Sequence, residues 1–127
     1  MENGKWRIMK ENAIINKTEA FSVRIINAEK YLRIQKKEKV MSKQILRSGT
    51  SIGANCAESQ NAQSPSDFVH KLSIALKEAD ETNYWLRLLM KGDYIPENAY
   101  LSMMNDLNEI IALLTTIIKT TRQKYNV

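Results

Sequence analysis

Apolar residues recur at three- and four-residue intervals along most of this chain, and nowhere do they alternate as a half-buried strand requires. Phe21, Ile25, Ala28 and Leu32 form one such stripe and predict a first helix over Asn16 to Lys37, with Val23, Tyr31 and Ile34 outside it. Gln35 to Lys39 reads as a polar turn. Met41, Ile45, Ser48, Ile52 and Cys56 make a second stripe, within a helix over Val40 to Gln63. Phe68, Leu72, Ala75, Ala79, Thr82, Leu86 and Leu89 make a third, over Pro65 to Lys91, with Gly92 placed to stop it. After Pro96, a fourth helix is carried by Leu101, Met104, Leu107, Ile111, Leu114 and Ile118, widened by Ile110 and Ile117. Residues 1–13 are polar and mixed, and read as a loose arm or a short lead-in. Four amphipathic helices with short links predict an all-α fold, an antiparallel up-down-up-down four-helix bundle forming a single domain over residues 1–127.

Two local patterns sharpen that reading. Ser64-Pro65-Ser66-Asp67 is a helix start: the serine accepts from an exposed amide, the aspartate answers from the third position, and proline at the first helical position loses nothing. Gly49 and Gly53 stand four apart, as do Ala75 and Ala79. Folding the chain about Ser64 brings Gly49 level with Ala79 and Gly53 with Ala75. Glycine inside a helix costs up to about 1 kcal/mol against alanine. A close approach of the second and third helices would justify two of them; a Gly/Ser loop between shorter helices is the alternative. The third helix has a further stripe, Ile74, Glu78, Glu81, Trp85 and Leu88, turned roughly 120° from its core face by the 3.6-residue period. A bundle helix needs one buried face, so a second stripe with a tryptophan in it suits a subunit contact. In that contact Arg47, Asn55 or a lysine of a neighbouring subunit would answer the two glutamates. Trp85 closing the end of the core is the competing reading.

Lys43-Gln44-Ile45-Leu46-Arg47-Ser48-Gly49-Thr50-Ser51-Ile52-Gly53-Ala54-Asn55 resembles the signature of the four-helix bundle proteins encoded in 23S rRNA intervening sequences. Ser64, Asp67-Phe68, Lys71, Ile74 to Ala79 and Glu81-Thr82 with Tyr84-Trp85-Leu86 extend the match from about Phe21 into the last helix. The resemblance implies an antiparallel four-helix bundle and a ring-shaped homo-oligomer, typically a pentamer. A related ring-forming bundle, the accessory protein of diversity-generating retroelements, works with RNA and a reverse transcriptase. The resemblance therefore suggests RNA, ribosomal or ribonucleoprotein components as partners beside self-association.

Charge adds to this. The chain of 127 residues carries a formal net charge of +5, but its first fifty residues carry +7 and the remainder −2. Such asymmetry favours an anionic partner for the N-terminal part. Lys30, Arg33, Lys36, Lys37, Lys39, Lys43 and Arg47 form a basic run interrupted by Glu29 and Glu38. A run of this kind suits phosphate contacts without base reading. A protein-interaction scaffold with no nucleic-acid role is the alternative. A single cysteine forms no internal disulfide and suits a cytoplasmic setting. Nothing resembles a leader peptide, and the apolar run Ile110 to Ile118 is far short of the ~20 residues of a membrane span, so no membrane partner is expected.

Catalytic patterns are sparse. Asp67 and His70 have carboxylate-to-histidine spacing, but His70 is the only histidine and a di-iron bundle needs two such motifs. Cys56 and His70 come level in the folded hairpin, without an orienting third group. Glu78 and Glu81 could act as paired carboxylates, though no substrate cleft is visible. The expectation is a non-enzyme with no cofactor, no metal and no small-molecule substrate.

Overall fold

The computed structural model describes residues 10–127, with side chains from residue 13 onward. Four helices follow one another: α1 (Lys10–Ile34), α2 (Met41–Ser59), α3 (Pro65–Lys91) and α4 (Glu97–Tyr125). Each packs on its sequence neighbours and α4 closes on α1, while the backbones of the diagonal pairs stay apart among the described residues. The result is an antiparallel square bundle, as the short connections require. Residues 10–13, read as part of a loose arm, belong to α1, which begins six residues before Asn16; the rest of that arm lies outside the described residues.

The helix ends follow from specific hydrogen bonds. α1 stops at Ile34 rather than Lys37, because Lys37 takes a left-handed φ of 57° and the Glu38 amide returns to the Leu32 carbonyl at 2.9 Å. Glu38 then starts α2: its carboxylate accepts from the amides of Val40 and Met41 at 3.1 Å and Ser42 at 2.8 Å. A negative group there answers both the free amides and the helix dipole. α2 ends at Ser59, short of Gln63, where the amides of Asn61 and Ala62 turn back to Glu58 and Ser59. α3 begins as its sequence indicated. The Asp67 amide donates to Ser64 Oγ at 3.0 Å, Asp67 Oδ2 accepts from the Gln63 amide at 3.2 Å, and Pro65 opens the helix. Gly92 caps the other end without using its freedom (φ −86°), and Asp93 takes the left-handed position at 66°.

The core stripes of α2 and α3 match expectation, apart from half-covered Met41; every α3 position named is buried. In α1, Ile14 and Thr18 join Phe21, Ile25 and Leu32 in the interior, while Ala28 is only half-buried. In α4, Met104, Leu107, Ile110, Leu114, Ile117 and Ile118 are buried as expected and Met103 and Thr121 join them, while Leu101 is exposed and Ile111 half-buried. By length and composition α4 is apolar enough to cross a membrane, with a window of mean hydropathy 1.3, contrary to the reading of its central run alone. Its buried stripe, however, is the face it presents to α1 and α3.

The glycines act at a different seam from the one expected. A Cβ built at Gly49 would fall 2.7–2.9 Å from three side-chain atoms of Ile25, and one at Gly53 would lie 3.2 Å from Ser22 Oγ and 3.3 Å from the Thr18 carbonyl. Both glycines therefore admit α1, not α3. The α2–α3 seam is made instead by a buried hydroxyl pair, Thr82 Oγ1 to Ser48 Oγ at 3.0 Å. The hairpin register was right and the assigned face was wrong, because a glycine carries no hydrophobic mark of its own side. Gly49→Ala should overpack Ile25 and destabilise the fold by about 1–3 kcal/mol. Gly53→Ala, with looser neighbours and about 1 kcal/mol of regained helix propensity, should be close to neutral. Urea unfolding of the two variants checks this, and equal losses would contradict it.

Candidate nucleic-acid and subunit interfaces

The basic run sits at one end of the bundle. Lys30 and Arg33 lie on the last turns of α1, Lys36, Lys37 and Lys39 in the connection, and Lys43 and Arg47 on the first turns of α2. All seven are exposed, but the structure divides them. Arg33 donates to Glu29 at 2.8 Å, and that hydrogen bond, with the charge behind it, raises the guanidinium pKa further. Arg47 turns towards α3, donating to Glu78 at 3.3 Å, to Glu81, and to Gln44 at 3.4 Å. The five lysines have no carboxylate within ion-pair distance among the described residues. The two glutamates that interrupt the run are also accounted for: Glu29 holds Arg33, and Glu38 caps α2. Sequence reasoning missed that capping role. Its signal was an acidic residue just ahead of the first turn of α2.

On the α2–α3 side, Arg47 and the second stripe of α3 form one network. Glu81 accepts from Arg47 and from Trp85 Nε1 at 2.9 Å, and the Trp85 ring meets Tyr84 edge-on at 5.2 Å. Ile74, Glu78, Glu81, Trp85 and Leu88 are all half-buried within the single chain. Arg47 is thus the residue that answers both glutamates. Asn55 does not: its amide donates to the Ser51 carbonyl of its own helix at 2.9 Å.

The α1–α4 side is different. Arg24 reaches across to Asp106 at 2.5 Å and Ser102 Oγ at 2.9 Å, and Lys17 approaches Glu109 at 3.7 Å. Towards the basic end the two helices part, leaving an apolar cleft of about 480 Å³. Asn27, Ala28 and Tyr31 form one wall, Ala99 and Met103 the other, and Leu86 and Leu89 the floor.

The candidate catalytic groups do not meet. Cys56 is fully buried beside Thr18 of α1, whereas His70 is exposed next to Ser66, Ser73 and Arg122. Burial pushes the Cys56 thiol up to about 12, against a smaller opposing effect of the hydrogen bond with Thr18. Asp67 is engaged in capping α3. Among the described residues no three of His, Cys, Asp and Glu gather as metal ligands would.

A sequence profile described as 23S rRNA-intervening sequence protein matches residues 10–116. The chain belongs to that family. The chain is also similar to a solved crystal structure from Bacteroides thetaiotaomicron, described as a protein of unknown function from the S23 ribosomal protein family. The two share 57% identity over 87% of this chain and 99% of that one, with a TM-score of 0.86. No curated protein matches. The family assignment agrees with the Lys43 to Asn55 string and accounts for the four-helix architecture.

Cys56 supplies a test of the buried interior. With its folded pKa raised, the neutral thiol contributes stability that is fully present below about pH 9 and is lost as pH rises towards 12. Unfolding free energy should therefore fall more steeply between pH 9 and 11 in the natural protein than in Cys56→Ala. A thiol reagent at pH 8 should label the denatured chain and spare the native one. Rapid labelling of the native chain would contradict the burial.

Proposed function

We propose that this protein is a non-catalytic, cytoplasmic, homo-oligomeric bundle that binds structured RNA or a ribonucleoprotein through its lysine-bearing end. One observation carries the reading: Lys30, Lys36, Lys37, Lys39 and Lys43 stay exposed without carboxylate partners, while the nearby acids are engaged within the fold. Five cations at one end of a bundle can contact phosphates along a groove or loop without reading bases. Each phosphate neutralised releases counterions, so binding would be salt-dependent. The family's link with 23S rRNA insertions supports an RNA partner over other polyanions. Arg33 and Arg47 are left out of this interface, since each already holds a carboxylate.

Assembly into a ring, a pentamer by family resemblance, would repeat the lysines around an axis and make a thin patch multivalent. The absence of a reaction is supported by what the candidate groups do. The thiol is held neutral in the core, the imidazole stands apart from it, and Glu78 and Glu81 serve Arg47 and Trp85.

Titration of labelled structured 23S rRNA fragments at rising salt provides the test. Affinity should fall linearly on a log–log scale, and replacing the five lysines by alanine should weaken it by roughly tenfold or more. The salt slope should shrink by about 0.7–0.9 for each phosphate contact removed. Binding that ignores salt, or survives the five replacements intact, would overturn the RNA reading.

A further inference from the structure

The seam between α1 and α4 is the loosest of the four, and the cleft it leaves lies at the same end of the bundle as the lysines. Its floor reaches Leu32, Ile45, Leu86 and Leu89, all buried in the core, and its walls are mostly apolar. At about 480 Å³ it has the size of a small-molecule pocket rather than of a packing defect. Two polar side chains, Asn27 and Tyr31, line it without a hydrogen-bond partner among the described residues. Arg24, the one charged group on the wall, is neutralised by Asp106. A charged occupant would therefore be buried without a partner, and the cleft favours a flat, uncharged group with polar atoms at its edge.

The surroundings of the mouth narrow the choice. Tyr31, 40% exposed, stands at the rim, and Lys30 precedes it. The Lys36 amide donates to the Tyr31 carbonyl at 3.3 Å, so the connection that carries Lys36, Lys37 and Lys39 leaves from the tyrosine's own turn. Around the opposite rim, exposed Asp93 and Glu97 outnumber Lys91. A phosphate chain is thus attracted along α1 and repelled along α4, which leaves the cleft to whatever group that chain turns inwards. In RNA that group is a base, and bases freed from a helix stack on aromatic side chains beside cations that hold the backbone.

We propose that the α1–α4 cleft receives one unpaired purine of an RNA whose neighbouring phosphates lie against the lysines, with Tyr31 stacking on the base. This rests on the RNA reading and names the form of RNA that the site prefers, a bulge or loop rather than an unbroken duplex. A purine offers a wider stacking face than a pyrimidine, and its edge carries the donors and acceptors that suit the free amide of Asn27. The lysines supply affinity without regard to pairing, whereas the cleft rewards only a base that has left its helix. The contribution of the cleft is insensitive to salt, because no phosphate is neutralised there.

Two end-labelled RNA duplexes that differ only by one bulged adenine are titrated with the full chain by fluorescence anisotropy, at several salt concentrations. The natural protein should bind the bulged duplex roughly fivefold or more tighter than the unbroken one, the scale of one base–aromatic stack. Tyr31→Ala should abolish that preference while leaving the affinity for the unbroken duplex and both salt slopes unchanged, and Tyr31→Phe should retain it. Ala99→Phe, which fills the cleft from the α4 side, should abolish the preference as well. Circular dichroism confirms that each variant is folded, and if one is not, the other decides. Equal binding of the two duplexes, or a preference that survives either substitution in a folded variant, would overturn the base pocket and leave the lysine-based RNA reading standing. Failure of both duplexes to bind in a salt-dependent way would overturn the two together.

Discussion

The contact between Gly49 and Ile25 sets the geometry of this bundle. A side chain of any size at position 49 would collide with a buried isoleucine, so α2 can lie against α1 only where its backbone is bare. Gly53, one turn on, continues the same close approach beside Thr18 and Ser22. Thr18 in turn sits against Cys56, so the α1–α2 seam is tight from Ile25 to the buried thiol. With that pair drawn together, the α2–α3 seam is held by the Ser48–Thr82 hydroxyls in the interior and by Arg47 and its two glutamates outside. The remaining seam, α1 with α4, has its ion pairs along Lys17 to Arg24 and opens into a cleft beyond them.

Polar residues in this chain divide by whether the fold employs them. Glu38 and Glu29 look alike in the sequence, as acids among basic neighbours, whereas Asp67 stands in a helix-start motif. In the structure Glu38 satisfies the first amides of α2, Asp67 holds the Gln63 amide ahead of α3, and Glu29 holds an arginine. Exposed pairs of this kind add little stability each. Their larger consequence is compositional: once the acids are engaged internally, the lysines around the α1–α2 connection are left as unpaired positive charge. A modest net charge thereby becomes a local cationic end.

Much of the fold was legible because period and capping carry it. The α3 boundaries could be read from Ser64, Pro65, Asp67 and Gly92, and its seven-residue stripe is buried throughout. What could not be read is which side of a helix meets which neighbour when the deciding residue is small. Gly49 and Gly53 have no hydrophobic side to betray their orientation, and the register of the α2–α3 hairpin suggested the wrong partner. Leu101 and Ile111 were placed on the buried stripe of α4 for a related reason: with apolar residues on most of its circumference, several stripes fit equally well. Arg47 was read both as a phosphate contact and as a partner for Glu78 and Glu81. The packing of α2 on α3 brings it to the glutamates, and no one-dimensional pattern decides between the two.

The order of residues by itself determined four helices, their antiparallel succession, the family and the concentration of positive charge in the first fifty positions. These depend on periodicity, caps and composition, which are local properties of the chain. Only the tertiary structure decided that the glycines serve α1, that Cys56 and His70 are apart, that Arg33 and Arg47 are engaged, and that an apolar cleft opens between α1 and α4. Those are relations between surfaces distant along the chain, and they are settled by how close two backbones can come.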